Sequence, residues 1–109
     1  MKMMRVILFT AQMDVMARFY GQTLRLKQVS SEKGWREFAA GGARIALHSG
    51  PSSPGRKGPK IVFHAVDVDA LRQKLVSRGA RFGKVRRGEV FTLCDGKDPD
   101  GNPIQISNR

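Results

Sequence analysis

Asp98-Pro99-Asp100-Gly101-Asn102-Pro103-Ile104-Gln105-Ile106-Ser107 closes the chain, and its reading decides the fold. It is a turn that feeds a strand. Pro99 fixes φ near the value that a turn's second position needs, Asp100-Gly101 tolerates positive φ, and Pro103 suits the first residue of a strand. Beyond it Ile104 and Ile106 alternate with Gln105 and Ser107, so the strand has one apolar and one polar face. Gln105 therefore looks away from the core, and what it faces is the functional question.

Working outward, the same grammar recurs upstream. Val6 to Phe9 is an apolar run of strand length, read as a strand buried on both faces. Asp14 is the expected N-cap of a helix whose apolar face is Met16, Phe19, Tyr20 and Leu24. Leu26 to Ser31 reads as a strand, Glu32-Lys33-Gly34 as a turn and Trp35 to Ala40 as a third strand. Gly41-Gly42 then makes a tight hairpin into Arg44 to Ser49. The order is β-α-β-β-β.

A Pro/Gly/Ser stretch, about 50–59, is the one linker, and the order then repeats. Lys60 to Val66 is a strand, Asp67 caps a helix carrying Val68, Leu71 and Leu75, and Gly79 suits a left-handed C-cap. Ala80 to Val85, Glu89 to Cys94 and Pro103 to Ser107 supply three more strands. Ile7 and Phe9 echo Ile61 and Phe63, and each pair precedes an Asp-initiated helix, which supports a duplication. The expectation is an α+β domain over residues 1–109. Two βαβββ units, about 4–49 and 60–107, form a curved mixed sheet around a cleft.

Composition sets the outer bounds. The chain has 109 residues, 40% hydrophobic and 27% charged, as in a soluble globular protein. One cysteine, Cys94, forbids an internal disulfide and argues against a cysteine-based zinc site. It reads as a buried inert thiol in a reducing cytoplasm. No apolar run approaches the roughly 20 residues of a membrane span, and the N-terminus is not a signal peptide. The 20 Lys+Arg against 9 Asp+Glu, net +11, raise nucleic acid or another polyanion as a partner. Both halves carry a similar excess, however, and the densest cluster, Arg81, Lys84, Arg86 and Arg87, has one nearby aromatic. The distribution therefore argues against nucleic acid and for a solvated basic surface.

Strand parity separates two faces. Val6, Leu8, Ile45, Leu47, Ile61, Phe63, Ala65, Ile104 and Ile106 make an apolar set for the helix side. Arg5, Ile7, Phe9, Arg44, Ala46, His48, Lys60, Val62, His64, Gln105 and Ser107 make the opposite, mixed set, the composition of a ligand cleft. Trp35 suits either a stacking contact for a planar ligand or a plug between sheets. His48 and His64, the only histidines, either line a wet cleft or form a displaced metal or base site, with Glu37 as a further donor. Arg5, Arg44 and Lys60 either hold an anion or carry their charge out to solvent from strand ends.

These segments resemble the glyoxalase, bleomycin-resistance and extradiol-dioxygenase superfamily, the vicinal oxygen chelate fold. Met13-Asp14 to Phe19-Tyr20, Trp35 to Phe38 with Gly41 to Leu47, Phe63 to Leu71 with Gly79 and Phe82-Gly83, and Asp98 to Ile104 carry the resemblance. They span nearly the whole chain in order. In metal-dependent members, His and carboxylate side chains on four strands hold one divalent ion. The resemblance puts those positions at Arg5, Ala46, Lys60 and Gln105, none of which is such a ligand, and the two cations repel a metal. It thus implies no cofactor, and leans toward a small-molecule-binding protein while leaving open whether the chain is an enzyme. Resistance or sequestration by a cytoplasmic homodimer is the role it suggests, with the two units paired within a chain or swapped between chains. A small anionic or planar ligand suits the charge better than cationic bleomycin. The alternatives are a metal-dependent lyase or dioxygenase-like enzyme with a rearranged site, and polyanion binding.

Overall fold

A computed structural model describes residues 1–54 and 58–109. Part of the expected linker, residues 55–57, lies outside the described residues. The chain forms two compact units, Met1–Ser53 and Pro54–Arg109, and each contains a mixed sheet with one helical segment.

In the first unit, β1 (Arg5–Thr10) runs parallel to β4 (Ala43–Ser49). β4 pairs antiparallel with β3 (Trp35–Ala40), and β3 with β2 (Lys27–Glu32), so the sheet order is β1-β4-β3-β2. The hairpin turns use Gly34 at φ 74° and Gly41 at φ 68°, conformations that favour a residue without Cβ. Phe38, Ile45 and Leu47 pack with Met16, Phe19 and Tyr20 in the core, all less than a tenth exposed. β1 is not buried on both faces: Ile7 is 44% and Phe9 51% exposed. A continuous apolar run fits either case, and here the even-numbered side chains are the less exposed ones.

The first helix also departs from expectation. α1 spans Met13–Arg18, its N-cap is Gln12, and Asp14 sits inside the first turn. The cap is displaced because Thr10 ends β1 and its Oγ1 accepts from the Gln12 N–H at 3.0 Å, turning the chain early. A turn of π-helix, Phe19–Thr23, follows. It buries both Phe19 and Tyr20, the two ring residues that the α-period also places on the apolar face.

In the second unit, β5 (Ile61–His64) runs parallel to β9 (Pro103–Ser107). β9 pairs antiparallel with β8 (Thr92–Lys97), and β8 with the short β6 (Arg81–Phe82) and β7 (Arg86–Arg87). α2 (Val68–Ser77) is capped as expected: the Ala70 N–H donates to Asp67 Oδ1 at 3.0 Å, and Gly79 takes φ 94°. β9 matches its expected bounds. β8 does not: it starts three residues later than expected and runs on through Asp95-Gly96-Lys97. Gly96 pairs with Phe82 and Ile104, and the position needs a glycine because a Cβ there would lie 2.6 Å from the Arg81 carbonyl oxygen and 2.6 Å from the Phe82 ring, which fills the place of a side chain. The expected strands Lys60 to Val66 and Ala80 to Val85 are correspondingly shorter, which leaves Lys60 just outside β5.

The closing motif is a turn held by its own carboxylate. Buried Asp98 accepts through Oδ1 from the Asp100 and Asn102 N–H groups, at 3.0 and 2.9 Å, and through Oδ2 from Asn102 Nδ2 at 2.7 Å. Gly101, at φ 91°, donates its N–H to the Asp98 carbonyl at 2.9 Å. The Asp, Gly and Asn of this sequence therefore fix where β9 begins.

Candidate functional site

Register places the candidate residues in rows. On the first sheet, Arg5 faces Arg44 and Arg44 faces Ala39; Ile7, Ala46 and Glu37 form the next row; Phe9, His48 and Trp35 form the third. Seven residues expected to line a cleft, Arg5, Ile7, Phe9, Trp35, Arg44, Ala46 and His48, thus share one face. Ala46, beneath the middle row, is fully buried.

Glu37 organises this face. Its Oε2 accepts from Arg5 Nε at 3.1 Å and from Arg44 Nη1 at 3.3 Å, and its Oε1 accepts from Trp35 Nε1 at 3.2 Å. The Glu37 side chain is 5% exposed, against 34% for Arg5 and 45% for Arg44. Burial pushes its carboxyl pKa up, but the hydrogen bonds from Arg5, Arg44 and Trp35 and the Arg5 charge outweigh that and hold it below the ordinary value of 4.5. Two cations on one carboxylate leave one positive charge in excess. Of the two readings open for Arg5, an anion holder or a strand-end charge carried to solvent, neither describes its contact here: its guanidinium is held by Glu37 of its own sheet. Its guanidinium carbon also lies 6.0 Å from the Trp35 ring centroid.

The third row is an aromatic ladder. The His48 ring centroid lies 5.2 Å from Phe9 and 5.7 Å from Trp35, edge-on to the indole. His48 Nδ1 is 2.9 Å from the Ser49 carbonyl oxygen, which can only accept, so Nδ1 carries the proton in that contact.

The second sheet repeats the middle row: Val62 faces Gln105, and Gln105 faces Asp95. Asp95 accepts through Oδ1 from Lys60 Nζ and from Gln105 Nε2, each at 2.8 Å, and through Oδ2 from Arg86 Nη2. Its pKa, pushed up by burial, is carried below the ordinary 3.8 by Lys60, Gln105 and Arg86. Lys60, Val62, His64 and Gln105 therefore share this face, and Gln105 faces a carboxylate. Asp95 was invisible in the sequence because the strand was expected to stop at Cys94. The one available signal is parity: Asp95 is two residues from Lys97 and one from the buried Cys94, hence on the polar side if the strand continues.

Other candidates are spent elsewhere. Arg86 and Arg87 of the basic cluster pair with Asp95 and Asp69, leaving fewer free cations for a polyanion. Cys94 is buried, its Sγ donates to the Gly83 carbonyl at 3.2 Å, and burial pushes its thiol pKa up. A cavity of about 620 Å³ in the second unit lies at the helix side, between Val76, Phe82, Gly96 and the Asp98–Gly101 turn, away from Asp95. One of about 430 Å³ in the first unit lies among Ala17, Gly21, Gln22 and Phe38.

A metal ion of the kind the fold family implies would need several neutral imidazoles or carboxylates on one side. Among the described residues, no group of three or more His, Cys, Asp and Glu side chains comes together that way. The carboxylates on the two faces are each engaged by two cations. The residues present do not fit such an ion.

Comparison with known proteins completes the description. A sequence model of the Glyoxalase/Bleomycin resistance protein/Dioxygenase superfamily matches residues 2–106. No curated protein sequence matches the chain. Among solved structures, SMU.1112c is 20% identical with a TM-score of 0.83, covering 98% of each chain. A lactoylglutathione lyase from Agrobacterium tumefaciens is 18% identical with a TM-score of 0.78, covering 96% of this chain and 91% of that one. A glyoxalase/bleomycin resistance protein from Streptomyces sp. CB03234 is 20% identical with a TM-score of 0.77, covering 96% of this chain and 98% of that one. At these identities the likeness is one of fold.

Proposed function

The chain belongs to the glyoxalase/bleomycin resistance protein/dioxygenase superfamily, and we propose that within it the protein is a metal-free binder of a small organic molecule, in resistance or sequestration. The observation that carries this reading is the pairing of each sheet-face carboxylate with two cations of its own chain: Glu37 with Arg5 and Arg44, and Asp95 with Lys60 and Arg86. A divalent ion about 5 Å from one such cation would meet a repulsion of roughly 6–7 kcal/mol at an effective dielectric of about 20. It would also have to displace the cations already bound. What remains on the faces is apolar area at Ile7, Phe9 and Val62, polar anchors and aromatic edges, the lining of an organic ligand site.

In this reading the residues hold and orient a ligand and move no proton. On the first sheet Arg5 and Arg44 supply hydrogen-bond donors and Ile7, Phe9, Trp35 and His48 supply walls; on the second, taken by itself, Lys60 and Gln105 supply donors and Val62 and His64 supply walls. The single domain acts as a cytoplasmic homodimer. No helix among the described residues is long and apolar enough to cross a membrane.

Metal analysis of the purified protein, followed by titration with Zn, Ni, Mn and Fe(II), tests the reading. It predicts substoichiometric metal and only weak binding. A tight one-to-one complex, lost in His48→Ala and His64→Ala, would replace it with a metal-dependent lyase or dioxygenase-like enzyme whose site is rearranged.

A further inference from the structure

The first sheet's face carries a more definite chemical signature than the family fold requires. Arg5 and Arg44 are register partners on adjacent parallel strands, so their guanidinium groups emerge side by side. Each gives only part of its donor set to Glu37: Arg5 through Nε and Arg44 through Nη1. Among the described residues their other N–H groups donate to nothing else, and both side chains reach solvent, at 34% and 45% exposure. Glu37, anchored also by Trp35, fixes both forks in place and neutralises one of the two charges. Running away from this pair along β1 are Ile7 and Phe9, 44% and 51% exposed, on the same side of the sheet. Phe9, His48 and Trp35 form the aromatic row on this face, and the Trp35 ring centroid lies 6.0 Å from the Arg5 guanidinium carbon, so the cations and the rings are neighbours.

We infer that this face takes a flat aromatic acid. Its carboxylate, or an equivalent planar oxyanion, docks on the paired Arg5 and Arg44 forks, and its ring system lies along Ile7 towards Phe9 and His48. Planar, bidentate donors favour planar oxyanions, and a pre-fixed pair avoids the entropy of ordering two long side chains on binding. The inference rests on the small-molecule reading above and specifies its ligand class. The second sheet does not share the signature, since Val62, His64 and Gln105 offer no aromatic row and its two cations, Lys60 and Arg86, are not a pair of guanidinium forks in register.

The chain's only tryptophan is Trp35, beside Glu37, so its fluorescence reports on this face while calorimetry gives the affinity. The probes are biphenyl-4-carboxylate and its neutral isostere biphenyl-4-carboxamide, titrated at fixed salt. The inference predicts that the acid binds about tenfold to a hundredfold more tightly than the amide, as expected for a hydrogen bond to a charged group. Arg44→Gln and Arg44→Lys should each erase most of that preference while leaving amide binding intact. Lys84→Gln, which removes an exposed charge elsewhere, should not. Arg44→Lys keeps a cation for Glu37, so a loss of preference in a folded variant is not a folding artefact. Equal affinity for acid and amide, or an acid preference unchanged by Arg44→Lys, would overturn the aromatic-acid inference and leave small-molecule binding standing. Binding of neither probe together with tight one-to-one metal binding would overturn both.

Discussion

Glu37 and Asp95 hold the same place in their respective sheets, yet they do different amounts of work. Each lies on the strand antiparallel to the unit's central strand, opposite Ala46 in one case and Gln105 in the other, and each is gripped by two cations. The Glu37 side chain is 5% exposed and the Asp95 side chain 36%. The residue that follows differs as well. Phe38 faces Ile45 and fills the core with its own ring, whereas Gly96 faces Ile104 and is covered by the ring of Phe82 from the neighbouring strand. Duplicated architecture thus preserves the carboxylate and the need for a ring, but not the residue that supplies each. The first unit builds its ion cluster on a buried carboxylate beside aromatics; the second builds one on a wetter carboxylate.

Substitutions can break this comparison at graded cost, read by urea unfolding. Phe38→Ala should be the most damaging, at about 3–5 kcal/mol, because the ring is 1% exposed and nothing replaces it. Glu37→Ala should cost about 2–3 kcal/mol, since it strips a buried acceptor from three donors. Gly96→Ala should cost about 2 kcal/mol by forcing Phe82 and the Arg81 backbone away. Asp95→Ala should cost no more than about 1 kcal/mol, because its ion pairs are exposed and screened. If Asp95→Ala proved as costly as Glu37→Ala, the contrast between a buried and a wet cluster would be wrong.

The pH dependence sharpens the same contrast. Glu37 titrates in the folded protein below its ordinary 4.5. A depressed folded pKa contributes stability that is present above the unfolded pKa and lost as pH falls through the folded one. Stability should therefore decline as the solution is taken below about pH 4.5, and Glu37→Gln should flatten that decline. Asp95→Asn should flatten it less, and at lower pH, since its ordinary value is 3.8.

Where the sequence was legible, local chemistry decided the outcome. The Asp98 turn, the Gly79 cap and the Trp35–Ala40 strand follow from turn residues and alternation that act within a few positions. The reach of β8 past Cys94 was not legible, because it depends on strands distant in sequence, and the π-helical turn at Phe19–Thr23 leaves no mark in the apolar period. Gly96 is the plainest instance: a glycine weakens a strand interior, and here the Phe82 ring fills the place of its side chain. Ending the expected strand at Cys94 hid Asp95. Parity groups residues by face but gives no reach, so the capture of Arg5, Arg44, Lys60 and Arg86 by two carboxylates emerged only from the fold.

The central claim is that these two carboxylates belong to their own cations and not to a metal. Carboxyl-carbon NMR of Glu37 and Asp95 during titration with Mn(II) tests it most directly, since a paramagnetic ion bound at a carboxylate erases its resonance. The account predicts that both resonances persist at one equivalent of Mn(II) and titrate below ordinary carboxylate values. Loss of either resonance at one equivalent, with the rest of the spectrum intact, would contradict it.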